Sequence, residues 1–310
     1  MQSKSQIYEL LLSAGVKPNK RFGQHFLIDL NLMRLLLDTA QLTKDDIVLE
    51  VGCATGSMTE GIAEKAGFCV AVEIDAVLAN IARKQLADYQ NVKLIAADAL
   101  KNKFEINPVV LDALNHARAN YKGRLLLIAN LPYAAGTPLM LNLVTAPALV
   151  FDKKTRGQDA GVDAMFVTVQ KEVADRMLAH QASKDYGILS ILLCATGDLK
   201  HIRTLKPSVF WPQPQVHSAM ISYVRNPEKV KGIKSIEMLS NIASAFLQHR
   251  RKMLKSGCKL LSFRSTGFQP VEKFNWPAIF DKCSIAPALR PDQLTPEQFV
   301  DLANSLQIIS

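Results

Sequence analysis

The segment with the most specific chemical content in this chain is Asn130-Leu131-Pro132-Tyr133. An exocyclic amine on an aromatic base is a weak nucleophile, because its lone pair is delocalised into the ring. Acceptors on both amine hydrogens, here the Asn130 side-chain oxygen and the Leu131 carbonyl, localise that lone pair and aim it at an electrophile such as a methyl sulfonium. Pro132 sets the turn, and Tyr133 offers a face on which a flipped base can stack. Such a displacement needs no covalent catalyst, since the product proton can leave to water. The six histidines show no metal-ligand spacing, and no metal is expected.

A second group of residues sits at the ends of strand-like runs. Ile47 to Val51 leads into Gly52-Cys53-Ala54-Thr55-Gly56, a turn whose glycines let backbone amides approach a ligand. Glu73, 21 residues past Gly52, ends the next run, where an acid can accept from both ribose hydroxyls; its plainer reading is a solvated strand-end carboxylate. Asp98 closes a third run and can accept from an adenine amino group. The turn lacks the full Gly-x-Gly-x-x-Gly pattern that cradles a pyrophosphate. A phosphate-free nucleoside is therefore expected, and S-adenosylmethionine fits.

These residues need a scaffold that brings strand ends to one edge. Five short runs, Ile47–Val51, Phe68–Glu73, Val92–Ala97, Arg124–Asn130 and Met165–Gln170, alternate with helical patterns, which predicts an α/β fold with parallel strands and crossover helices. Leu189–Cys194 and Ala219–Val224 are expected to complete the sheet. Residues 104–121 and 152–163 read as insertions. Asn226-Pro227 breaks the pattern, so the domain boundary is placed there: 1–225 as the cofactor-binding domain, 226–310 as a helical domain.

Hydrophobic residues make up 48% and charged residues 21%, a globular balance that excludes a largely disordered chain. No apolar run reaches the roughly 18 residues of a membrane span, and the N-terminus has no secretory pattern, so a cytoplasmic protein is expected. Its five scattered cysteines predict reduced thiols. With 37 Lys and Arg against 28 Asp and Glu, the net charge of +9 favours an acidic partner such as nucleic acid. Arg250, Arg251, Lys252, Lys255, Lys259 and Arg264 lie in a stretch without acids, and Lys17, Lys20 and Arg21 form a smaller cluster. Either suits phosphate contacts, the plainer reading being a solvated face.

On these motifs the chain resembles the KsgA (RsmA) family of ribosomal RNA adenine dimethyltransferases over nearly its whole length. The resemblance extends to Lys20-Arg21-Phe22-Gly23-Gln24-His25-Phe26-Leu27, to Gln170-Lys171-Glu172-Val173-Ala174-Asp175-Arg176, to the proline-rich loop Phe210-Trp211-Pro212-Gln213-Pro214-Gln215-Val216-His217-Ser218-Ala219, and to Leu289-Arg290-Pro291. It implies a class I S-adenosylmethionine-dependent methyltransferase (Rossmann-like) sheet, its last strand antiparallel, with a small helical C-terminal domain that binds rRNA. It further implies that Gln24, His25, Leu27, Gly52, Glu73, Asp98 and Asn130 contact S-adenosylmethionine, and that Tyr133 and Phe210 sandwich the target adenine. The implied product is N6,N6-dimethyladenosine at two adjacent positions near the 3′ end of small-subunit (16S) rRNA, made by a monomer acting on the immature small ribosomal subunit during its biogenesis. Two competing readings are a large-subunit enzyme of the macrolide-resistance type and a non-catalytic ribosome-assembly factor. The chain departs from the family pattern at Ala54, where a second glycine is usual, and at Ala134, where many members carry a polar residue.

Overall fold

The computed structural model describes residues 1–19, 23–133, 135–145, 161–261 and 274–306. Helix α1 (Lys4–Ser13), the two-residue strand β1 (Phe26–Leu27) and helix α2 (Leu30–Ala40) precede the alternating region. There, β2 (Ile47–Val51), α3 (Ser57–Lys65), β3 (Phe68–Glu73), α4 (Ala76–Gln85) and β4 (Val92–Ala96) lead to a hairpin of β5 (Leu100–Asn102) and β6 (Glu105–Ile106). Helix α5 (Pro108–Asn120), β7 (Leu125–Asn130), α6 (Gly136–Thr145) and β8 (Ala164–Gln170) follow, then β9 (Gly197–Leu205), β10 (Phe210–Trp211) and β11 (Ser218–Arg225).

Seven strands form one sheet in the order β4-β3-β2-β7-β8-β11-β9. The β4 to β8 portion is parallel, and β11 runs antiparallel to β8. Every residue of β2 is buried, and β7 is buried up to Asn130, as parallel strands covered on both faces must be. The order reverses between β2 and β7, and such a switch point opens a crevice at the carboxyl ends of the strands. Asp46 and Arg124 pin the opposite, amino ends: the guanidinium reaches the carboxylate at 2.7 and 3.2 Å. The pairing Ile47↔Leu125 then brings Gly52 and Asn130 out side by side at the crevice.

The structure departs from expectation in three places. Leu189–Cys194 is not a strand but lies in the helix Ile188–Thr196, and β9 takes the sheet edge instead. A short apolar run reads alike as buried strand or buried helix, and this one is rich in Leu, which is not branched at Cβ, and starts after Gly187, the helix cap. Residues 104–121 are no insertion: α5 is the crossover that parallel strands β4 and β7 require, capped by Asn107 with Pro108 in the first turn. Of the second expected insertion, residues 152–160 lie outside the described residues, while Asp163 accepts from the Leu125 amide at 2.6 Å.

Compactness divides the chain differently from a single break at Arg225. One unit holds the described residues up to Ala174 together with Lys200–Val224; the other holds Asp175–Leu199 together with the described residues from Arg225 onward. In the second unit, the helix Ile188–Thr196 packs with the helices Ile236–Gln248 and Pro296–Ser305, and the Tyr186 hydroxyl donates to the Leu294 carbonyl at 2.9 Å. Sequence adjacency hid this, because these contacts join segments far apart in the chain, the Tyr186–Leu294 bond spanning 108 residues.

Candidate active site at the carboxyl edge of the sheet

A cavity of about 790 Å³ opens where the strand order reverses, walled by the turn after β2, the ends of β3 and β4, the segment before β1 and the turn after β7. Gln24, His25, Leu27, Gly52, Glu73, Asp98, Asn130, Leu131, Pro132 and Tyr133 all border it.

At the glycine turn, Gly52 has φ +80° and Gly56 φ +87°, and the Gly52 and Cys53 amides donate to Val72 O. Ala54, with φ +53°, holds the left-handed conformation of the glycine usual at its position. Glu73 clamps this turn: one carboxylate oxygen accepts from the Ala54 amide at 2.8 Å and the other from the Asp75 amide at 2.9 Å. Burial pushes the Glu73 carboxyl up against the opposing pull of those amides. Asp98 is exposed at the end of β4, one oxygen held by the Leu100 amide at 2.9 Å. Gln24 reaches Asp75 at 3.0 Å and caps the Asn19 amide at 2.7 Å, which ties the segment before β1 to the first turn of α4.

At the other end, the Asn130 Nδ2 donates to the His25 carbonyl at 2.9 Å. A carbonyl only accepts, so this bond fixes which way the amide points and leaves Oδ1 as its acceptor for the cavity. His25 is itself held by an Nδ1 contact of 2.7 Å to the Pro212 carbonyl, which assigns the proton to Nδ1. Its ring lies 5.5 Å from that of Tyr133, tilted by 31°. The Leu131 amide is bound to Thr168 O at 3.0 Å, and Pro132 O accepts from Ala135 and Gly136, closing the turn into α6. Burial raises the Tyr133 phenol, so its hydroxyl stays protonated.

Two expected residues are not where a site role would need them. Phe210 does not border the cavity; it is 2% exposed, pairs with Leu27 across β1 and β10, and packs in a core with Leu36 and Phe166. A ring so enclosed has no face to offer a base. Arg250 is not available to phosphate: its guanidinium reaches Asp292 at 3.3 Å and donates to the carbonyls of Ser183, Lys184 and Tyr186 at 2.7, 3.1 and 3.0 Å. Arg251, Lys252 and Lys255 are exposed. Lys20, Arg21, Phe22, Ala134 and Arg264 lie outside the described residues.

One residue was given no role by the sequence reading. Glu50 borders the cavity floor, 2% exposed, with Thr59 Oγ1 at 2.6 Å. Burial drives its carboxyl to about 8, with the nearby Glu73 charge adding to the rise. The signal was present: an acid inside an otherwise apolar, fully buried strand calls for a reason. Glu73 and Asp98 line the same cavity, an acidic lining suited to the hydroxyl and amino donors of a phosphate-free nucleoside, while Glu50 stays protonated near neutral pH and adds a neutral polar group to it. Among the described residues, no cluster of potential metal ligands is found and no helix is long and apolar enough to cross a membrane.

Comparison with known proteins agrees with this geometry. Residues 15–306 match the model of the family described as ribosomal RNA adenine dimethylase. A protein named ribosomal RNA small subunit methyltransferase A from Alkaliphilus oremlandii is 32% identical over 99% of this chain and 98% of its own length. One of the same name from Latilactobacillus sakei is 31% identical over 96% and 93%. Among solved structures, a dimethyladenosine transferase from Plasmodium falciparum superposes with a TM-score of 0.67 at 20% identity, covering 90% of this chain and 96% of that one.

Proposed function

The chain belongs to the ribosomal RNA adenine dimethylase family, and on that premise we propose that it dimethylates N6 of two adjacent adenosines near the 3′ end of small-subunit rRNA. Its cofactor is S-adenosylmethionine, the group its family uses. The small-subunit name carried by relatives at about 30% identity over nearly the whole chain favours that substrate over large-subunit rRNA.

The observation that carries the reading is the hydrogen bond from Asn130 to the His25 carbonyl. It presents Asn130 Oδ1 to the cavity as an acceptor for one hydrogen of the adenine amine, beside the Leu131 carbonyl for the other. Both together draw the nitrogen lone pair out of the ring and orient it. When bound, the cofactor supplies a methyl group on a sulfonium. The chain's own part is to hold the amine with its lone pair turned toward that methyl, and no side chain is needed as a base, since the amine proton can pass to water. Glu73 and Asp98 hold the ribose and adenine of the cofactor, Gly52 admits it to the turn, and Gln24, His25 and Leu27 close the wall over it. Tyr133 stacks on the target base; Phe210 supports β1 from the core and does not share that stacking. Arg251, Lys252 and Lys255, with Lys20 and Arg21, contact rRNA phosphates on the immature subunit. The protein works as a cytoplasmic monomer.

Mass spectrometry of nucleosides from unmethylated small subunits incubated with this protein and S-adenosylmethionine tests the reading. Dimethyladenosine appears with the unmutated chain and is absent with Asn130→Ala. Product on large-subunit RNA alone would transfer the assignment to the resistance-type reaction, and tight RNA binding with no product on either would make the chain a non-catalytic assembly factor.

A further inference from the structure

The β5–β6 hairpin has no part in the reading above, yet Leu100 to Lys103 help wall the same cavity as Tyr133. Its root is anchored to the end of β4: Asn107 Nδ2 donates to the Asp98 carbonyl at 2.9 Å, and Ile106 is buried. Its tip is anchored too. The Phe104 amide is held by Asn102 Oδ1 at 2.8 Å, and Asn142 of α6 donates to the Lys103 carbonyl at 3.1 Å. Helix α6 follows directly on the turn that holds Asn130 and Tyr133, so the tip is braced to the element that carries the reacting end.

What the bracing displays is an aromatic ring among cations. Phe104 is 58% exposed, and the Lys103 ammonium lies 5.9 Å from its ring centroid. Lys101 is exposed and pairs with Glu105 at 2.8 Å, so two lysines against one glutamate leave the tip net positive. A planar apolar face next to fixed positive charge is the composition of a single-stranded nucleic acid platform: every base has a face to stack and every nucleotide a phosphate. A strand whose target base has been drawn into a cavity also needs such a platform, because the flanking base has lost a stacking neighbour.

We infer that the hairpin tip is an RNA-strand rest, in which Phe104 stacks on a base flanking the target adenosine while Lys101 and Lys103 meet the phosphates on either side. This rests on the rRNA reading above and adds to it a residue that governs substrate engagement.

The test uses the full-length chain with unmethylated small ribosomal subunits. Phe104→Ala is expected to raise the KM for subunits by about tenfold, in line with the loss of one stacked base. Phe104→Trp keeps the KM near that of the unmutated chain, and Phe104→Leu, apolar but unable to stack, behaves as the alanine variant. Lys103→Ala lowers the slope of binding against salt by about one. Calorimetric binding of S-adenosylmethionine is unchanged in the three Phe104 variants, whose position does not line the cavity, which a mere packing defect would not leave so. A KM for Phe104→Ala within twofold of the unmutated chain, or a leucine variant as good as tryptophan, overturns the inference. Filter binding to the same subunits reads the tip even if the unmutated chain forms no dimethyladenosine. Failure of the catalytic assignment and failure of the hairpin assignment are thus separate results.

Discussion

A β-carbon placed on Gly52 would lie 3.0 Å from Cγ of Pro132. The glycine turn after β2 and the Asn130–Tyr133 turn after β7 are therefore in contact, with room for hydrogen only. Gly52 also has φ +80°, where a side chain is strained whatever the space. Gly52→Ala is expected to push the two turns apart and weaken S-adenosylmethionine binding by about tenfold or more, given the roughly 1–3 kcal/mol such strain costs. Calorimetry with the cofactor, alongside thermal melting to confirm a folded chain, measures this.

Two residues on, the strain runs the other way. Ala54 holds φ +53° with its amide committed to Glu73. Ala54→Gly relieves the left-handed strain, partly offset by the greater freedom of glycine in the unfolded chain, so a gain of about 0.5–1 kcal/mol is expected. Denaturant unfolding would show it as a raised midpoint with an unchanged slope, and an unchanged or lowered midpoint would contradict it.

Glu50 predicts a pH dependence of stability. Its carboxyl titrates at about 8 in the folded chain against an ordinary 4.5, because burial disfavours the charged form. A raised folded value means that the unfolded state releases this proton first. The contribution is complete below about 4.5, shrinks as pH rises, and is lost on passing through about 8. Glu73, also raised, adds a slope of the same sign. Melting temperatures between pH 5 and 9 should fall for the unmutated chain and fall less for Glu50→Gln, which keeps a polar partner for Thr59 and no charge.

The adjacent cations Arg250 and Arg251 should behave as different kinds of residue. Arg250→Ala removes a guanidinium that binds three carbonyls and Asp292, with a third of its side chain exposed, and is expected to cost about 2 kcal/mol of stability with little change in the salt slope of RNA binding. Joint replacement of exposed Arg251, Lys252 and Lys255 by Ala should leave the melting temperature within a few degrees and flatten that slope by about three. Salt-titrated filter binding on both variants separates the two roles.

Much of the site was legible in the chain because parallel strands place all their carboxyl ends on one edge. Once the apolar runs ending at Val51, Glu73, Ala96 and Asn130 are read as parallel strands, Gly52, Glu73, Asp98 and Asn130 must share a crevice, and no contact need be known to say so. The tetrapeptide's chemistry was likewise local, carried by four consecutive residues. Tertiary structure decided what each side chain spends its polar atoms and faces on. Asn130 finds its carbonyl 105 residues away at His25, Arg250 finds its carbonyl acceptors 64 to 67 residues away, and Phe210 turns into the core through pairing with Leu27. The helix at Ile188–Thr196 belongs with these, since its apolar run is compatible with either element until the helices beside it are in place. Periodicity states that a residue is buried or exposed. Which distant group meets it depends on packing that no local spacing encodes.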